Sequence, residues 1–253
     1  MSKMSKVVAL MACAAAALPL GALAQEEAKT VGSVGVDIAS AYVFRGITLN
    51  EGVVVQPYMS AEILPGLTAG VWANNDVDDN DGAFKEGEFS EVDLTLTYAI
   101  PVEAVNLSVG YAEYTYPGAG GAELDADGAA VATRGEADRE VFVTAGLPVL
   151  LTPTLSAYYG LGGLVDENVY LEAGVSHSMD LTDAVALGLS AAVGYAYPDV
   201  GEDGFSHANL GVSLGFGPVT AKVLYVAQLD DEVLSDEAYD VEVVGTLSLS
   251  KAF

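Results

Sequence analysis

Asp76, Asp78 and Asn80 stand at alternate positions, D-x-D-x-N, the spacing that opens a calcium-binding EF-hand loop. Their chemistry would be oxygen ligation of a hard cation. The sixth position, however, is Asp81 where the sharp turn requires glycine, and Gly87 replaces the bidentate glutamate. This is no EF-hand, and two readings stay open: a looser Ca2+ or Mg2+ site, and a solvated acidic loop. Acid–base chemistry would draw on His177 and His207, the only histidines. Ser176-His177-Ser178 places His177 on an apolar strand face, away from any pocket. No H-E-x-x-H, P-loop or dinucleotide fingerprint occurs, so no enzyme is expected.

The other carboxylates follow a different rule. Glu91 and Asp93 alternate with Val92, Leu94 and Leu96, and Asp37, Glu62, Glu140, Glu172, Asp240 and Glu242 likewise fall on the polar side of two-faced segments. A period of two lines one face of a β-strand. Twelve such segments are read at 33–43, 52–63, 67–74, 90–100, 105–114, 139–150, 155–164, 169–179, 185–197, 207–216, 219–229 and 239–253. A tilted strand needs roughly 9–11 residues to cross a hydrocarbon core. Pro57 cannot donate a ladder bond, so the second strand is expected to bulge there.

The connections alternate in character. Even-numbered ones are short turns, such as Leu64-Pro65-Gly66 and Gly217-Pro218. Odd-numbered ones are mostly longer and acidic, as at 75–89, 198–206 and 230–238. Tyr42, Phe44, Tyr111, Tyr195, Tyr225 and Tyr239 fall on the apolar face at the long-connection ends, with Tyr98, Phe216 and Phe253 at the short ends. Two aromatic girdles suit two membrane interfaces. The expected fold is all-β: a transmembrane antiparallel up-and-down barrel of about twelve strands, both termini periplasmic.

Composition agrees. A formal net charge of −27 beside a mean hydropathy of +0.37 suits apolar strands joined by acidic loops. That charge excludes nucleic acid as a partner, since a phosphate backbone needs a basic footprint. Lys3 and Lys6, the apolar run 7–20 and Ala22-Leu23-Ala24 read as a signal peptide over residues 1–24, with a short periplasmic segment at 25–32 and one barrel at 33–253. Terminal Phe253 resembles the closing residue of outer-membrane barrels, which the barrel-assembly machinery is expected to engage.

In such a barrel the polar face points inward. Asp37, Glu62, Glu91, Asp93, Glu140, Glu172, Asp240 and Glu242 are then expected to line a lumen, with Arg45 and Lys222 as the inward bases. Closing the barrel puts the first strand beside the twelfth, and Arg45 near Asp240 and Glu242. An acid-lined lumen should attract cations. The Gly- and Ala-rich stretch 116–138 either folds into the pore or stays outside.

The stretch Asp37-Ile38-Ala39-Ser40-Ala41-Tyr42-Val43-Phe44-Arg45-Gly46-Ile47-Thr48, followed by Gln56-Pro57 and Gly70-Val71-Trp72-Ala73, resembles the TorF family of porin-like proteins, also known as Gcw_chp. The clear match covers about the first three strands. The resemblance implies an outer-membrane channel. The expectation is therefore a pore for passive diffusion of small cationic or neutral solutes in the bacterial outer membrane, without cofactor. Its acidic loops would bridge through Ca2+ or Mg2+ to lipopolysaccharide. The alternative is a closed structural or partner-anchoring barrel.

Overall fold

The computed structural model describes residues 32–77, 86–117, 120–124, 130–134 and 137–253. The expected signal peptide and segment 25–31, with Asp78 and Asn80, lie outside them. The wall strands are β1 (Gly32–Ala39), β4 (Val54–Leu64), β5 (Leu67–Asp76), β6 (Phe89–Ile100), β7 (Asn106–Thr115), β10 (Asp138–Gly146), β11 (Thr154–Gly162), β12 (Val169–Thr182), β13 (Val185–Tyr197), β14 (Gly204–Phe216), β15 (Val219–Gln228) and β16 (Val243–Ala252). Two further hairpins stand apart from the wall: β2 (Tyr42–Phe44) with β3 (Ile47–Asn50), and β8 (Gly120–Leu124) with β9 (Ala130–Arg134).

The wall is a closed ring of twelve antiparallel strands, each paired with its sequence neighbours, and β1 closes on β16. Asp37 lies opposite Ser248, and Ser33 opposite Ala252. Backbone bonds run both ways between Gly32 and Phe253, at 3.1 and 3.0 Å, so no strand edge is left open there. Both ends of the ring meet at the short-turn rim, where Gly66 and Gly217 adopt the positive φ their turns need.

The two faces are inverted relative to a water-soluble globule. Leu94, Leu96, Leu210, Val212, Val223, Leu247 and Leu249 are all exposed on the outside of the wall. The small side chains and acids point in. A belt of that extent would be an aggregation surface in water, whereas in lipid it meets acyl chains and each wall strand is laddered to a neighbour on both sides. Tyr98, Phe216 and Phe253 stay exposed at the short-turn rim, as the girdle expectation required.

Three local expectations are corrected. The first segment does not run to residue 43: the wall strand stops at Ala39, and Tyr42 and Phe44 turn into the lumen instead of facing lipid. The twelfth strand starts at Val243, so Asp240 and Glu242 sit exposed in the preceding connection and not on the inner wall. Pro57 sits in unbroken register opposite Val36; it lies within β4 without a bulge, and the register shift falls further along, between Glu62 and Leu64.

Candidate functional site

The connection between β1 and β4 does not loop outward. Ser40 leaves the wall with its N–H on the Gly245 carbonyl at 2.9 Å, and its Oγ accepts the Gly245 N–H at 2.9 Å. The chain then forms the β2–β3 hairpin. Its two tip residues are Arg45, φ 51°, and Gly46, φ 85°. Positive φ at both central positions is the type I′ demand that matches strand twist. Glycine meets it freely, whereas for arginine it is uncommon and strained.

The tip reaches the far wall. Going round the ring from β1 through β4, β5, β6, β7 and β10, the sixth step of twelve is β11, and that is where Arg45 lands. Its two terminal nitrogens donate to the two carboxylate oxygens of Glu140 on β10, at 2.7 and 2.8 Å. The guanidinium carbon lies 4.4 Å from the Tyr158 ring on β11, 4.3 Å from Tyr170 on β12 and 4.8 Å from Phe44 of the hairpin. Tyr114 on β7 donates to Glu140 Oε2 at 2.8 Å. Glu140 is 2 % exposed. A fork-to-fork ion pair flanked by aromatic faces is the arrangement guanidinium favours.

The flanks of the hairpin are tied down separately. Tyr42 OH donates to Glu91 at 2.9 Å and its ring packs 5.4 Å from Trp72. Asn50 Nδ2 donates to Asp76 at 2.5 Å, and Asn74 Nδ2 to the same oxygen at 3.0 Å. On the other side Thr48 Oγ1 accepts the N–H groups of Asp240 and Val241, at 3.2 and 3.1 Å. Ala39, Ala41, Tyr42, Val54 and Val244 form a small dry cluster at the hairpin root. Gly46 lies against His207, where an added Cβ would come within 2.9 Å of the His207 Cβ and of two ring atoms, Cγ and Nδ1.

The wall is adjusted around these anchors. Register shifts fall between Arg139 and Glu140, between Gly194 and Tyr195 opposite His207, and between Asn74 and Asn75 beside Asp76. Bulges re-aim side chains at barrel rims, and each of these sits at a point where the hairpin docks. The inner wall also carries a run of rings, Phe142, Tyr158, Tyr170 and His207, at 5.6, 5.9 and 6.3 Å spacing.

Of the expected lumen residues, Asp37, Glu62, Glu91, Asp93, Glu140 and Glu172 stand on the inward side of wall strands, as does Lys222, opposite Thr246 on β16 and Ser213 on β14. Asp37 and Asp93 each keep one buried carboxylate oxygen without a hydrogen-bond partner. Arg45 is not near Asp240 or Glu242; it crosses to Glu140. Asp76 serves as acceptor for Asn50 and Asn74, and no group of three or more metal-ligating side chains occurs among the described residues.

Two features invite a hydrolase reading. Gly211-Val212-Ser213-Leu214-Gly215 fits the letters of a nucleophile elbow, which needs a sharp strand-to-helix turn; here it runs straight along β14, with Ser213 paired to Gly188 and Lys222. Ser206 Oγ lies 3.0 Å from His207 Nδ1, but both are buried, with the ring stacked on Tyr170 under Gly46. That contact seats the hairpin.

The Gcw_chp family, described as bacterial protein of unknown function, matches residues 24–250. The chain belongs to the Gcw_chp family. The Arg45-Gly46 tip and the Trp72 strand, on which the family resemblance rested, are here the crossing hairpin and the wall it packs on. No curated protein matches the chain. Among solved structures, this Gcw_chp barrel is similar to a COG4313 outer membrane channel from Pseudomonas putida F1 (10 % identity, TM-score 0.43, covering 91 % of this chain and 100 % of that one). It is also similar to OmpT of Vibrio cholerae (7 %, 0.40, 88 % and 96 %) and to Salmonella typhi OmpF in complex with daunomycin (10 %, 0.39, 88 % and 96 %). At such scores these likenesses carry no argument about the function of this chain. The closed ring with its lipid-facing belt places this bacterial family member in the outer membrane.

Proposed function

We propose that the barrel is a passive, cation-preferring pore for small solutes, narrowed by the hairpin that crosses its lumen. The observation that supports it is the charge left inside. With Arg45 bound to Glu140, Lys222 is the remaining basic side chain on the inner wall among the described residues. The inner wall carries in addition Asp37, Glu91, Asp93 and Glu172. A low-dielectric wall focuses such a field and raises the local concentration of counter-ions. Acid-rich connections at the hairpin end, 198–206 and 229–242, suit divalent bridges to lipopolysaccharide phosphates, and Phe253 at the opposite rim suits capture by the assembly machinery.

The experiment is the reversal potential of purified protein in a planar bilayer under a KCl gradient. A potential of the sign for K+ passage supports the pore, and anion preference refutes the charge argument. The crossing hairpin also favours a second reading, a closed structural barrel. That version stays folded and heat-modifiable yet electrically silent in the same bilayer.

A further inference from the structure

The pocket that holds Arg45 belongs almost wholly to the wall. Glu140, Tyr158, Tyr170 and the Tyr114 hydroxyl that orients the carboxylate come from β10, β11, β12 and β7, and only Phe44 comes with the hairpin. The hairpin itself is a two-stranded sheet that forms no ladder with the ring. If its tip withdrew, the wall would keep a carboxylate bonded by a tyrosine hydroxyl, set beside two aromatic rings and opened to the lumen. An acceptor-only carboxylate beside aromatic faces is complementary to a cation, so an emptied pocket presents a ready cation site.

Shape narrows the class of cation. Two carboxylate oxygens each take one N–H of a single planar group, and the rings lie against that group. A guanidinium satisfies all of this together, a primary ammonium reaches the carboxylate as a point charge, and a quaternary ammonium brings no N–H. The strained φ of Arg45 points the same way: the turn bears a backbone cost to present this side chain at the tip.

We propose that the Glu140–Tyr158–Tyr170 pocket is a receptor for planar guanidinium cations entering from the long-loop end, that Arg45 is its built-in occupant, and that solutes carrying a guanidinium group compete with Arg45 for it. It rests on the pore reading in that competition would loosen the constriction, so that guanidinium solutes promote their own passage.

The test separates the two. Detergent-folded Arg45→Ala protein is titrated calorimetrically with methylguanidinium, methylammonium and tetramethylammonium chlorides at constant ionic strength. The variant should bind methylguanidinium saturably and at least about tenfold more tightly than tetramethylammonium, because only the former reproduces the fork. Adding Glu140→Gln should abolish the difference. If Arg45→Ala fails to fold, Arg45→Lys takes its place and should bind methylguanidinium at least about tenfold better than wild type, since lysine does not fill the fork. In bilayers, methylguanidinium should raise the wild-type conductance toward that of Arg45→Ala and leave the variant's conductance unchanged. A folded variant that binds the three cations alike, or whose binding survives Glu140→Gln, overturns the receptor. Silence of every variant in bilayers with the calorimetric preference intact would instead overturn the pore and leave the receptor standing.

Discussion

Arg45 and Glu140 are 95 residues apart in the chain and meet across the full width of the barrel, guanidinium to carboxylate, at 2.7 and 2.8 Å. The pair turns an inter-strand connection into a bar through the lumen.

Breaking the pair from the wall side should be costly. Glu140→Ala leaves the guanidinium among Tyr158, Tyr170 and Phe44 without its counter-ion, and losing one partner of a buried pair costs about 3–5 kcal/mol. Replacing both, Arg45→Met with Glu140→Leu, should recover most of that. The midpoint of heat-modified gel mobility, followed for the single and double variants, checks the difference.

Gly46 should be more sensitive than an equally left-handed glycine elsewhere. Gly46→Ala forces an L side chain into φ 85° and drives its Cβ against the His207 ring, whereas Gly87, at φ 75°, has nothing within 4 Å. The left-handed penalty alone is about 1–2 kcal/mol. Gly87→Ala should cost no more than this, while Gly46→Ala should cost more and also raise conductance by displacing the tip.

How far the sequence spoke for itself follows from these residues. Period-two alternation located all twelve wall strands, because lipid outside and water inside impose opposite demands on successive residues. The same alternation hid the hairpin. Tyr42 and Phe44 continue the apolar phase of β1, and a segment enclosed within a lumen buries its rings much as a lipid face would. Glu140 carried no local mark of its partner, since the contact is set by ring closure and not by spacing. The usable signal was Arg45-Gly46 itself, a turn dipeptide in which arginine occupies a position that asparagine or glycine fills more readily.

The inner acids should set ion preference. Glu91→Gln together with Asp93→Asn removes two carboxylates from β6 beside the hairpin root, and the reversal potential under a KCl gradient should move toward zero. Raising the salt should shrink the wild-type preference in the same direction, because the Debye length falls to about 3 Å at 1 M. A selectivity unmoved by either change would place the selecting charge elsewhere.

Phe253 should matter more for assembly than for the finished wall. Its backbone closes on Gly32, and Phe253→Ala keeps those bonds while removing the exposed ring. The variant should refold in detergent with near wild-type yield but reach the outer membrane in reduced amount, as measured by surface-protease protection and heat-modifiability of isolated membranes.

The most direct measurement is single-channel conductance of wild type beside a variant in which residues 41–51 are replaced by a short Gly-Ser linker. A lumen barred by this hairpin predicts a distinctly larger K+-selective conductance for the replaced form. Equal conductance in the two, or silence of a correctly folded hairpin-less barrel, would contradict it.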